Sequence, residues 1–91
     1  MKNLEKIFKG LANRRRLAII KLLAKNKQLS VTDIAKQIKL SFKATSKHLS
    51  VLRQLDIVDR NQVGLTAYYR FSHTLPHPVN MLVSTISNSR E

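Results

Sequence analysis

The chain has no cysteine and no tryptophan, only two glycines and two prolines, and five acidic residues among 91. Each shortage removes a class of chemistry. Without cysteine there is no disulfide, no thiolate metal site and no cysteine nucleophile, and the absence fits a cytoplasmic protein. Gly10 and Gly64 stand far apart, whereas a dinucleotide fingerprint needs three glycines close together and a phosphate loop needs Gly-Lys-Ser/Thr. The longest uninterrupted apolar run is Leu17–Ile20, far below the roughly 18 residues that span a bilayer. The first residues carry no apolar segment of the secretory kind. No membrane partner is expected. The acids Glu5, Asp33, Asp56, Asp59 and Glu91 form no pair that suggests general acid–base work, and no nucleophile-elbow sequence occurs. So short a chain has little interior for a substrate pocket. An enzyme is not expected.

What the chain has in excess is positive charge. Seventeen Lys+Arg give a formal net charge of +12. With 43% hydrophobic residues the chain collapses rather than staying disordered, so one folded basic domain over 1–91 with a polyanionic partner is the expectation. The charge is uneven. Residues 1–56 hold 14 basic and 3 acidic side chains, and 57–91 hold 3 and 2. A solvated face serving only solubility is the plain alternative. Nucleic acid suits this half better than a membrane surface, because its only aromatics are Phe8 and Phe42 and no helix joins a basic face to a bulky aromatic one.

Periodicity supplies the elements. Leu4, Ile7, Phe8 and Leu11 fall at i, i+3, i+4 and i+7, one stripe of a short helix. Asn13 suits the N-cap of a second, well-buried helix over 13–25. Arg14, Arg15 and Arg16 crowd its first turn against the helix dipole, which suggests charges wanted for contact. Ser30-Val31-Thr32-Asp33 opens a third helix like a capping box, with Val31, Ile34, Ala35 and Ile38 inward. Ser41 caps a fourth over 41–55, with Thr45, Leu49, Leu52 and Leu55 inward. Lys43, Ser46, Lys47, Ser50 and Gln54 point the other way. The period then drops to 2 over 57–62 and 65–72, two strands about Val63-Gly64, with Leu65, Ala67, Tyr69 and Phe71 inward and Gly64 at positive φ. Val79, Leu82, Val83 and Ile86 form a last helical stripe, opened by Pro76 or Pro78.

Two short helices on a tight Lys39-Leu40 link, the second with a basic-polar face, fit a helix-turn-helix. The major groove of a duplex is about 12 Å wide and admits one helix. Side chains near that helix's N-terminus reach base edges: Phe42, Lys43, Ser46, Lys47 and Ser50. The amides at Ser30 and Ser41 face phosphates. The full set expected to meet double-stranded DNA is Arg14, Arg15, Arg16, Ser30, Thr32, Lys36, Ser41, Phe42, Lys43, Ser46, Lys47, His48, Ser50, Arg60 and Gln62. A protein-docking module and an RNA binder remain open; the five aromatics make no stacking platform for the latter.

Four blocks carry a resemblance: Leu11-Ala12-Asn13-Arg14-Arg15-Arg16-Leu17, Leu29-Ser30-Val31-Thr32-Asp33-Ile34-Ala35, Ser46-Lys47-His48-Leu49-Ser50-Val51-Leu52 and Ala67-Tyr68-Tyr69-Arg70-Phe71. In this order and spacing, from about Leu4 to Phe71, the chain resembles the ArsR family of transcriptional repressors. The resemblance implies a mainly α winged helix-turn-helix: four helices, a β-hairpin and a fifth helix, dimeric through the terminal helices. It implies a helix-turn-helix over about 30–55, a wing over about 57–72 and a dimerisation helix over about 76–88. It implies a homodimer on a pseudo-palindromic operator, with Leu4, Ile7, Phe8, Leu11, Val79, Leu82, Val83 and Ile86 at the dimer interface.

The chain departs from the family in three places. Asn61, Gln62 and Leu65 stand where family wings carry arginines, leaving Arg60. The cysteine pair of the family's metal sensor is missing from 31–38. Residues 72–91 contain no Asp for the sensor on the last helix. His73 and His77 are four apart, but Pro76 and Pro78 oppose one continuous helix. His48 is expected to bond within the fold or to a phosphate rather than to a metal. No metal and no cofactor are expected, and the effector, if one exists, is unknown.

Overall fold

Asn13 separates the first two helices. Its backbone is extended (φ −150°), and its side-chain oxygen accepts from the N–H groups of Arg15 and Arg16 at 3.0 and 3.1 Å. Helix α1 (Leu4–Leu11) therefore stops and α2 (Arg14–Lys25) starts with two orphan amides satisfied. The computed structural model describes residues 4–75 and 77–87. Serines repeat the device. Ser30 Oγ accepts from Asp33 N and Ser41 Oγ from Ala44 N, each at 3.1 Å. They open α3 (Val31–Ile38) and α4 (Phe42–Gln54).

Both helices also end alike. After α3, Lys39 N–H donates to Lys36 O and Leu40 N–H to Ala35 O, with Lys39 left-handed at φ 56°. After α4, Asp56 N–H donates to Arg53 O and Ile57 N–H to Leu52 O, with Asp56 at φ 60°. These paired bonds are Schellman motifs, here without the glycine that usually takes the left-handed position.

The hairpin follows as β2 (Val58–Val63) and β3 (Thr66–Phe71), antiparallel, with Val63 opposite Thr66. Gly64 is at φ 61°, as the first central residue of a two-residue hairpin turn demands. Leu65 is the second residue of that turn and is fully exposed. The expected inward alternation therefore begins at Ala67, because Leu65 precedes the strand. A further strand was not expected: β1 (Leu29–Ser30) pairs with β3, Leu29 opposite Tyr69, so β3 is central in the order β1-β3-β2. Two residues are too few to show a period-2 pattern. The last helix is α5 (His77–Ser87).

The core draws on every helix and on the hairpin: Ile7, Leu11, Ile19, Ile20, Leu23, Val31, Ile34, Leu49, Leu52, Ile57, Val58, Tyr69, Val79 and Val83. Helices α1 and α5 both pack on α2. This packing divides the terminal stripes. Ile7 and Val79 are fully buried, and Leu11 and Val83 nearly so, within the protomer itself. Their surface is spent on this chain's own core. Leu4 and Phe8 are exposed and Leu82 is half-buried. The Ile86 side chain lies outside the described residues.

Candidate nucleic-acid interface

Helix α4 divides as its sequence predicts. Thr45, Leu49 and Leu52 are buried. Lys43, Lys47, Ser50 and Gln54 are exposed, and Ser46 is half-buried on the same outer side. Ser41 is exposed with its hydroxyl on the cap. The first turn of α4 thus presents amide groups, a lysine and Phe42, which is 59% exposed.

Phe42 lies beside the wing. It lines a cleft of about 160 Å³ with Thr32 at the start of α3, and Arg60, Gln62 and Ala67 on the hairpin. Arg60 and Gln62 are two residues apart and so share one strand face. Arg60 Nη2 donates to Gln62 Oε1, and Gln62 Nε2 donates to Gly64 O at 3.0 Å. Gln62 therefore holds the wing's arginine along the strand. The i, i+2 spacing was the available signal for that pairing. Thr32, Lys36, Arg60 and Gln62 are all exposed.

Four residues expected at the DNA surface are engaged inside the protein. Arg15 Nη1 donates to Ile38 O at 2.9 Å, at the end of α3. Arg16 Nε donates to Gly10 O at the end of α1, and its Nη1 lies 3.2 Å from His48 Nδ1 on α4. A guanidinium only donates, so Nδ1 accepts and neutral His48 carries its proton on Nε2. Burial, then Arg16, then Arg15 lower the His48 pKa below its ordinary value of 6.5. Ser30 is buried and its hydroxyl serves the α3 cap. Only Arg14 of the arginine triplet is exposed. The triplet's clash with the α2 dipole is offset by carbonyls and a ring nitrogen from three other elements, none visible in local sequence.

The arrangement is a basic helix carried on a helix-turn-helix, with an adjoining β-hairpin. A family model described as bacterial regulatory protein, arsR family, matches residues 13–60. The chain belongs to the ArsR family. It is 37% identical over 68 residues to the transcriptional activator HlyU of Vibrio cholerae, covering 75% of this chain and 62% of HlyU. It therefore spans less than two thirds of that relative's length. The transcriptional repressor PagR of Bacillus anthracis is 32% identical, with 88% of this chain and 80% of PagR covered. The solved structure of reduced HlyU from Vibrio cholerae superposes with a TM-score of 0.79 at 31% identity, covering 91% of this chain and 83% of that one. A solution structure from Mycobacterium bovis, Mb0332, described as a homodimeric winged helix-turn-helix DNA-binding domain, gives 0.77 at 29% identity, with coverages of 91% and 73%. This ArsR-family chain is thus a winged helix-turn-helix, with α3 and α4 as the helix-turn-helix and β2–β3 as the wing.

Among the described residues no group of three or more His, Cys, Asp or Glu is placed to hold a metal ion, and no helix is long and apolar enough to cross a membrane. His73 lies in the turn before α5, off the helix on which His77 begins.

Proposed function

We propose that this chain is a cytoplasmic transcriptional repressor that acts by binding, not catalysis, as a homodimer on a pseudo-palindromic duplex. One observation carries this: Lys43, Ser46, Lys47 and Ser50 share the outer side of a capped helix whose other side is core. A helix so presented enters a major groove. Lysine donates to guanine, serine donates or accepts, and Phe42 meets a thymine methyl. Thr32 and Ser41 stand at the phosphates that the α3 and α4 amide ends face. Arg14, Lys36 and Arg60 neutralise others, and Gln62 positions Arg60. Ser30 leaves the contact set because it is buried, and Arg15, Arg16 and His48 leave it because each is turned to a partner on another helix.

For the dimer, the exposed Leu4 and Phe8 and the half-buried Leu82 are the surfaces a second copy covers. Met81, also exposed, joins them next to Leu82. Half-sites then lie about 10–10.5 bp apart or a multiple of that. Occupation of such a site blocks a promoter, which is the sense of regulation proposed. One homodimeric structural neighbour and a repressor relative support it.

Selection from a random duplex library followed by sequencing tests the reading. The expected result is enrichment of an inverted repeat. No enrichment assigns the chain to protein docking or RNA binding instead. On the enriched site, Lys47→Ala is expected to cost roughly 1–3 kcal/mol. A loss equal on all sequences makes Lys47 a phosphate contact.

A further inference from the structure

Between α2 and α3 lies an open groove of about 480 Å³, of whose lining the DNA reading uses Arg14 alone. Its rim carries four cations, Arg14, Arg15, Lys21 and Lys25, and no acidic residue lines it. Its floor is apolar: Ala18, Leu22 and Ile38. Arg14, Ala18, Lys21 and Lys25 recur at i, i+4, i+7 and i+11, so one face of α2 mixes positive charge with apolar surface. No carboxylate among the described residues pairs with Arg14, Lys21 or Lys25.

The two halves of this groove ask for different things. A nucleic-acid phosphate satisfies the rim and leaves the floor wet. An uncharged apolar ligand covers the floor and leaves the cations unpaired. An anion with an apolar tail satisfies both, and the volume falls within the range of small-molecule sites, about 300–1,000 Å³. We infer that the groove binds an apolar monocarboxylate, its carboxylate on the α2 cations and its hydrocarbon on Ala18 and Leu22.

Arg15 connects this site to the helix-turn-helix. It lines the groove, and it donates at 2.9 Å to Ile38 O, immediately before the Lys39-Leu40 turn into α4. A carboxylate is a stronger acceptor for a guanidinium than a neutral carbonyl. Bound ligand therefore draws Arg15 from Ile38 and releases the end of α3 that sets α4. That coupling rests on the DNA-binding reading; the binding itself does not.

The test uses the full chain, ¹⁵N-labelled, with sodium octanoate as probe. Saturable binding at one site per chain is expected, with amide shifts confined to 14–25 and 36–40. Octan-1-ol and inorganic phosphate should bind at least tenfold more weakly. Ala18→Glu places a carboxylate on the floor, and Lys21→Glu reverses one rim charge at a solvent-reaching position. Each should weaken octanoate at least tenfold, and Lys21→Glu decides if Ala18→Glu does not fold. Equal binding of phosphate or octanol, or indifference to Lys21→Glu, overturns the site. So does absent octanoate binding with Lys21→Glu weakening duplex binding as much as Lys47→Ala, which would assign the groove to DNA. Saturating octanoate should weaken duplex binding at least fivefold, and an unchanged duplex affinity overturns the coupling. Should no duplex bind at all, the amide shifts still decide the site, so the two failures are separable.

Discussion

Arg16 ties three helices together at one guanidinium. It holds the last turn of α1 through Gly10 O and α4 through His48 Nδ1, from the first turn of α2. Gly10 is itself at a close approach, since a Cβ there would collide with the Leu55 side chain. The histidine makes the tie sensitive to acid. The fold lowers the His48 pKa, chiefly by burial and then by Arg16 and Arg15, so it favours the neutral ring. The stabilisation is fully present above the unfolded value near 6.5 and is lost as pH falls below it through the folded value. Urea midpoints should therefore drop between about pH 7.5 and 5 for the natural chain. His48→Gln keeps an acceptor for Arg16 and removes the titration, so its midpoints should stay flatter; an identical slope rejects the linkage. Thr45 offers a second test. It is fully buried in α4 and its hydroxyl has no partner. A buried unsatisfied hydroxyl costs roughly 1–3 kcal/mol. Thr45→Val keeps the shape and removes the polar atom, so chemical denaturation should show a gain of about 1 kcal/mol.

At the scale of elements, the turns that lead out of α3 and α4 set where α4 and the wing stand. Both place a non-glycine residue in the left-handed region, Lys39 and Asp56, which costs a residue with a Cβ roughly 1–2 kcal/mol. Part of that cost is recoverable. Lys39→Gly relieves the strain but adds freedom to the unfolded chain, so a net gain of about 0.5–1 kcal/mol in unfolding free energy is expected. A loss would mean that the Lys39 side chain stabilises the turn more than its backbone strains it. The caps run the other way. Asn13 satisfies two amides, and Asn13→Ala should cost about 0.5–2 kcal/mol, read as a lower thermal midpoint. These local devices were legible in the sequence because each needs only a few consecutive residues: Asn13, Ser30, Ser41 and Gly64 all take the positions their chemistry suggests. Strand β1 was not legible, since Leu29–Ser30 acquires its strand character only by pairing with Tyr68 and Tyr69.

The proposed function divides the whole molecule into two surfaces. Apolar residues at the chain's terminal helices that do not reach the core, Leu4 and Phe8 above all, are available to a second copy, while the basic side chains of α3, α4 and the wing face outward elsewhere. Phe8→Glu puts a charge on the first surface without touching the core. Sedimentation should show it shift the chain toward monomer with its circular dichroism retained; an unchanged dimer would place the interface away from α1. The second surface is electrostatic. If the dimer makes on the order of 6–10 phosphate contacts, duplex affinity should fall about 10³–10⁵-fold between 50 and 200 mM salt. A salt-independent affinity contradicts the assignment of Arg14, Lys36, Lys43, Lys47 and Arg60.

The sequence alone determined the helices, their caps, the hairpin and the basic outer side of α4, because periodicity and capping are short-range properties of the chain. It also carried the family blocks, since those side chains recur at fixed spacings. Only the tertiary structure decided which charges are free. Arg15 and Arg16 are long enough to reach carbonyls and a histidine on other helices, and no local pattern records such a reach. Likewise, one apolar stripe on α1 supplies both the buried Ile7 and Leu11 and the exposed Leu4 and Phe8. Helical spacing names the stripe, but only the packing of α1 on α2 divides it between this chain's core and a surface left for another.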